Sequence, residues 1–328
     1  MRTVLLTTAI VLTLAACDRP QPSASATTAK AAPTRGQETQ QIQQWRSERV
    51  ERLKQPDGWL TLVGLHWIEP GPHKVGSGKD NDILLAIGPA HIGTLTLKDG
   101  KVSLLLDPSS QALVDGKPAS AAVELKSDAK GTPTNVSFNH GDASFQLIER
   151  SGRYALRVRD AQARTRTGFL GIEYFDIDPA WRLNARFQAH PPGQTIAIAT
   201  AINTIEPMQN PGTLQFEKDG RSYRLEAVDE GDGRLFLMFA DHTNGKTTYG
   251  AGRTLYAAAP KNGMTVVDFN ESYNPPCVFT PYATCGLPPP ENRLDLTITA
   301  GEKKYAGAVE HETLQRATAD ADNGKTRN

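Results

Sequence analysis

The polar side chains best suited to chemistry gather toward the carboxyl end of the chain: Arg253, then Asp268, Asn270, Tyr273 and Asn274, then Asn292 and Arg293, with Glu302 beyond. Guanidinium, carboxylate, amide and phenol groups on one stiff loop suit a pocket for a small polar ligand, held without reaction. The same set permits an envelope hydrolase, with Asp268 as general base and Arg253 steadying developing negative charge. Arg253 falls in an apolar strand, and a buried arginine needs a carboxylate partner. Asp268 on the next strand is the nearest candidate, and such a pair serves equally well as a plain structural ion pair. A third possibility, an assembly or scaffolding protein, requires a broad exposed apolar patch.

These residues border or lie within the segment 268–293, which holds six prolines and two cysteines. Proline lacks the amide that helices and inner strands need, so the segment is a loop. Phe269, Tyr273, Phe279 and Tyr282 anchor it, which favours an ordered wall over a disordered tail. Cys277 and Cys285 suit a disulfide in an oxidising compartment. Closing that loop of about nine residues contributes on the order of 2.5 kcal/mol in the chain-entropy view. A metal pair or a redox thiol lacks a supporting ligand cluster or Cys-x-x-Cys motif.

Other signals are weaker. The seven histidines are scattered without metal-ligand spacing, so no metal site is assigned. No cofactor is assigned either. Neither Gly-x-Ser-x-Gly nor His-Glu-x-x-His occurs. Ala240–Thr247 has the letters of a phosphate-binding loop, but a strand follows where that chemistry needs a helix amino end. Its Asn244-Gly245 reads as a two-residue hairpin turn that sets Phe236 opposite Arg253. Arg157 and Arg159 share one face of a strand, where they either meet an anionic ligand or pair with surface acids; surface pairing is the plainer reading.

The elements that position these groups are mainly β. A helix is expected over Thr39–Lys54, capped by Thr39 and striped by Ile42, Trp45, Arg49 and Leu53. Its Arg46, Arg49 and Arg52 read as a solvated face. Beyond it, short apolar runs alternate with turns such as Lys98-Asp99-Gly100, and from Leu214 onward a meander is readable strand by strand. The fold class is therefore mainly β: the helix, a first β-sandwich region over 39–166, then an antiparallel meander or barrel-like region over 167–310. A polar tail follows at 311–328.

Residues 1–16 have a basic start, an apolar run and small residues, as a secretory signal does. Leu14-Ala15-Ala16-Cys17 resembles a bacterial lipobox, which implies cleavage before Cys17 and its diacylation. Residues 17–38 would be a flexible tether with a reach of roughly 25 Å. The expected setting is the cell envelope, facing the periplasm, with the membrane engaged through the lipid on Cys17. With 36 basic and 36 acidic residues, nothing marks a nucleic-acid partner.

Two resemblances extend this reading. Val75–Leu85, with Asp107-Pro-Ser-Ser and Asp115-Gly116-Lys117-Pro118, resembles the forkhead-associated sandwich. That family binds phosphothreonine through an arginine directly after the first glycine of the motif, where this chain has Ser77. The strand layout is implied; the phosphate clamp is not. Gly58–Trp67, Gly76–Ile83, Thr248–Arg253, Asp268–Cys277 and Ala283–Leu294 together resemble domain of unknown function 1684. That likeness implies a two-part β-rich body and brings no known activity.

Overall fold

The first described element begins at a capping box. The structure, a computed structural model, describes residues 34–307. The expected signal segment, Cys17 and polar tail lie outside those residues. Helix α1 (Arg35–Leu53) is capped by Thr34, whose hydroxyl accepts from the Gln37 amide while the Gln37 side chain accepts from the Thr34 amide. Thr39 is therefore not the cap. Its hydroxyl donates to the Arg35 carbonyl inside the helix, which takes four residues from the expected tether. Ile42, Arg49 and Leu53 form the buried stripe.

The arginines of α1 are also not uniformly solvated. Arg49 donates through Nε to Glu302 Oε1 at 3.0 Å and through Nη2 to the Asn274 carbonyl at 2.9 Å. Arg46 reaches the Phe175 carbonyl and lies 4.3 Å from the centre of the Tyr174 ring. Of Arg46, Arg49 and Arg52, only Arg52 stays on the exposed face, near Glu48.

Ten strands then build a sandwich. They are β1 (Leu62–Trp67), β2 (Gly71–Gly76), β3 (Ile83–Leu84), β4 (Gly93–Lys98) and β5 (Lys101–Leu106), followed by β6 (Leu113–Val114), β7 (Val123–Leu125), β8 (Asn135–Phe138), β9 (Ala143–Arg150) and β10 (Arg153–Asp160). One sheet has the order β1-β10-β9-β8-β6 and the other β3-β2-β4-β5-β7. Their inner faces share one core that includes Val75, Leu95 and Leu104 from one sheet and Phe138, Phe145, Leu156 and Val158 from the other. Alternation puts Leu156 and Val158 inward and Arg157 on the opposite face. The Asp99-Gly100 turn closes β4 onto β5 with both residues at positive φ, as a type I′ hairpin requires.

The second half contains no closed barrel; its sheets are open. Strands β11 (Arg182–Ala189), β14 (Gly212–Lys218), β15 (Arg221–Glu226) and β18 (Met264–Asp268) form a sheet in the order β15-β14-β11-β18. Strands β12 (Thr195–Ala199) and β13 (Ile205–Gln209) make a separate two-stranded ribbon, and β16 (Leu235–Phe239) pairs with β17 (Arg253–Ala257). A second core forms around Trp181, Phe216, Phe239, Val267 and Phe269.

The expected hairpin register at Asn244-Gly245 does not occur. Phe239 pairs with Arg253, so residues 240–252 form one wide connection. Gly245 has positive φ but Asn244 does not, so the pair lacks type I′ geometry. Asn244 instead ties the connection internally: its Nδ2 donates to the Tyr249 carbonyl and its Oδ1 accepts from the Asp241 amide. Such side-chain bonds compete with the simple turn.

Candidate functional site

Strand β10 sets the site. Arg157 sits in its middle, opposite Leu65 on one side and Gln146 on the other. It points away from the sandwich core, yet it is 6% exposed because the second half of the molecule covers that face. Trp59 lies beneath its guanidinium, 5.4 Å from ring centre to Cζ. From above comes the proline loop, whose Thr284 hydroxyl accepts from Arg157 Nη2 at 3.2 Å. Arg157 Nε is buried and meets no hydrogen-bond acceptor.

Arg150, on β9, is held differently. Its Nη1 and Nη2 grip the two oxygens of Asp128 at 2.9 and 2.7 Å, and its Nε donates to Thr284 at 3.2 Å. This planar two-point grip engages Asp128, whose charge also acts on Arg157. Burial alone would raise the Asp128 carboxyl, but the Arg150 fork and the Glu149 amide hold it below its ordinary range. Arg157 is pushed the other way, down to about 10, by burial and by the charge of Arg150, with Asp128 opposing. It remains a cation at neutral pH.

These groups line one end of a cavity of about 470 Å³. Three regions enclose it. The sandwich supplies Trp59, Arg150 and Arg157; the β12–β13 ribbon and its turn supply Ile198, Thr200, Ile202, Glu206 and Met208; the proline loop supplies Tyr273, Pro275, Pro276, Thr284 and Gly286. Phe236 and Met238 of β16 form the floor. Gly286 is needed for the close fit: a Cβ there would come within 2.9 Å of Ile198 and 3.0 Å of Met238. Two carboxylates also face the space, and each is taken by a hydroxyl: Glu206 accepts from Ser151, and Glu230 from Tyr256. Burial pushes both Tyr256 and Tyr273 above the ordinary phenol range.

The disulfide Cys277–Cys285, with Cα atoms 6.2 Å apart, closes the loop segment that carries Thr284. The ribbon is stitched to the same segment, since the Ala201 amide donates to the Cys285 carbonyl and the Leu287 amide to the Ala199 carbonyl.

Of the polar set expected from the sequence, only Tyr273 lines this cavity. Arg253 and Asp268 do not pair. Arg253 is fully buried, donates to the carbonyls of Ile298 and Ala300, and has Asp241 as its carboxylate at 3.6 Å. Asp268 accepts from Arg182 at 2.9 Å and from both nitrogens of Asn270. The register explains this exchange, because Arg182 lies directly across from Asp268 on β11. Asn270 also bridges to the Asp178 backbone, and Asn292 links Glu226 to Met238. Asn274 and Glu302 meet each other and Arg49. Arg293 is exposed. Asn270, Asn274, Asn292 and Glu302 thus hold backbone and helix in place.

Sequence reasoning passed over the ribbon and Thr284. The alternation Thr-Ile-Ala-Ile-Ala at 195–199 is a period-two signal that marks the ribbon's first strand.

Residues 167–303 match the family model described as a protein of unknown function, DUF1684. The chain belongs to the DUF1684 family. The match takes in the ribbon, β16, β17 and the whole proline loop, while the Gly58–Trp67 and Gly76–Ile83 strings lie outside it. Arg150 and Arg157 therefore sit on the sandwich that precedes the DUF1684 match, and the cavity spans the boundary. A solution NMR structure of an uncharacterized protein from Haloarcula marismortui is 30% identical to this chain; it covers 43% of this chain and 80% of its own, with a TM-score of 0.36. No curated protein matches.

Among the described residues, no group of three or more His, Cys, Asp or Glu side chains is placed to hold a metal, and no helix is long and apolar enough to cross a membrane.

Proposed function

We propose that this DUF1684 protein is a cell-envelope lipoprotein that binds a small ligand without catalysis, in the cavity between the sandwich, the ribbon and the proline loop. The observation that carries the reading is the cavity itself: about 470 Å³, walled largely by apolar side chains, with a few polar groups converging at one end. The proline segment is a wall of this site, with its polar contributions coming from Tyr273 and Thr284. Anchoring rests on the lipobox-like Leu14–Cys17.

Nothing in the geometry favours the hydrolase alternative. Both oxygens of Asp268 are engaged by Arg182 and Asn270, and Asp268 lines none of the cavities described. The scaffolding alternative draws little from the exposed large apolar residues, since Leu84, Leu105, Leu170, Ile205 and Met264 come from separate segments.

Native mass spectrometry of protein purified from its own envelope tests the reading. A compound should be retained by the wild type and lost from Met208→Trp, which fills the cavity. Ligand-free protein in both preparations would overturn it. For the anchor, Cys17→Ser should move the protein from the membrane to the soluble fraction; continued membrane association would count against lipidation.

A further inference from the structure

Among the described residues, Arg157 is a buried cation without an ion-pair partner of its own. Its one side-chain hydrogen bond among them runs to a neutral hydroxyl, and its Nε has no acceptor there. The charges that act on it are Arg150, Asp128 and Arg159, and Asp128 is already gripped by Arg150. Arg159 turns to the carbonyls of Asp57 and Gly58. Glu206 and Glu230 bind Ser151 and Tyr256 instead, and neither forms an ion pair with Arg157 among the described residues. Burying a guanidinium without an ionic partner is unfavourable. A bound anion would offset that cost.

Thr284 points the same way. Its oxygen accepts from both Arg150 and Arg157, which fills its two lone-pair directions. The hydroxyl proton is then left to donate. No acceptor for it occurs among the described residues, and Thr284 lines the cavity. Beyond this polar end, the walls are Ile198, Met208, Phe236, Met238, Pro275 and Pro276.

We infer that the ligand of this site, taking the binding reading above as its premise, is an amphipathic anion. A carboxylate or phosphate head group rests on Arg157 and the Thr284 hydroxyl, and an apolar body lies against Ile198, Met208, Phe236 and Met238.

Calorimetric titration of the full-length chain with eight-carbon probes tests this. Octanoate and octyl phosphate should bind, and the tighter of the two identifies the head group. Octanol should bind at least about tenfold more weakly, since a charge-assisted hydrogen bond is lost. Arg157→Gln should weaken both anions by roughly 10- to 100-fold and leave octanol unchanged. Thr284→Val keeps the guanidinium and should weaken them by about two- to tenfold. Unchanged melting temperatures show that both variants fold.

Octanol binding as tightly as octanoate would overturn the anionic head group. Acetate or inorganic phosphate binding as tightly as the octyl compounds would overturn the apolar body. If no probe binds while the wild type still retains a compound that Met208→Trp loses, the inference fails and the ligand-binding reading stands. If neither probe nor retained compound is found, both fall.

Discussion

Arg157 and Arg253 are both buried, and they are buried for different ends. Arg253 is enclosed by the Ile298 and Ala300 carbonyls and by Asp241, and the nearest void is about 20 Å³, room for a single water. Arg157 has one hydroxyl, one aromatic face and a cavity of about 470 Å³ beside it. Burial pushes both down to about 10, so the pKa shifts alone do not separate them. The partners do. Where the protein supplies the acceptors, the charge holds the fold together; where it leaves them out, the charge is set to meet something from outside.

The largest test of that contrast is Arg253→Met. It strands Asp241 and two carbonyls in a dry interior, and we expect a loss of about 3–5 kcal/mol in urea unfolding. A loss below about 1 kcal/mol would show that the carbonyl cage is not structural. Next comes the staple that holds Thr284 between the two arginines of the cavity. Cys277→Ser with Cys285→Ser should cost about 2.5 kcal/mol by the same measurement. An unchanged midpoint would mean that the prolines alone hold the loop.

Glu271 is a half-buried titratable group apart from both arginines. Burial, with Asp268 nearby and Arg182 opposing, raises its carboxyl from 4.5 to about 7. Between those values the folded state holds a proton that the unfolded chain releases, so stability is greatest at the acid end and falls as pH rises to about 7. Partial exposure limits the change to about 1 kcal/mol. Glu271→Gln should flatten this slope in urea melts from pH 4.5 to 7.5, and substitutions at either arginine should leave it in place. The smallest effect is expected at the ligand-facing arginine. Without ligand, Arg157→Met should change stability by no more than about 1 kcal/mol, because a well-packed apolar group replaces an unmatched charge. A loss above 2 kcal/mol would falsify the contrast and make Arg157 a second structural arginine.

Much of the fold was legible in the chain. Type I′ turns, alternating strands and the proline loop all follow from local chemistry, as Asp99-Gly100 and Ser151-Gly152 illustrate. Site residues were harder to read for a specific reason. Period-two alternation correctly put Arg157 and Arg159 on one face of β10, but it does not tell what covers that face. Trp59 and Thr284, far away in the chain, turn a nominal surface into an interior. The error at Arg253 has the same origin. In sequence the nearest carboxylate on a following strand is Asp268, and the wide 240–252 connection brings Asp241 instead.

The docking of α1 has a consequence for how the molecule is made. Among the described residues, the carboxylate that pairs with Arg49 is Glu302, 253 positions later. At roughly 5–20 residues per second, a ribosome needs on the order of 10–50 s to close that gap. Until then Arg49 lacks that partner, so the docking of α1 is completed only once Glu302 has been made.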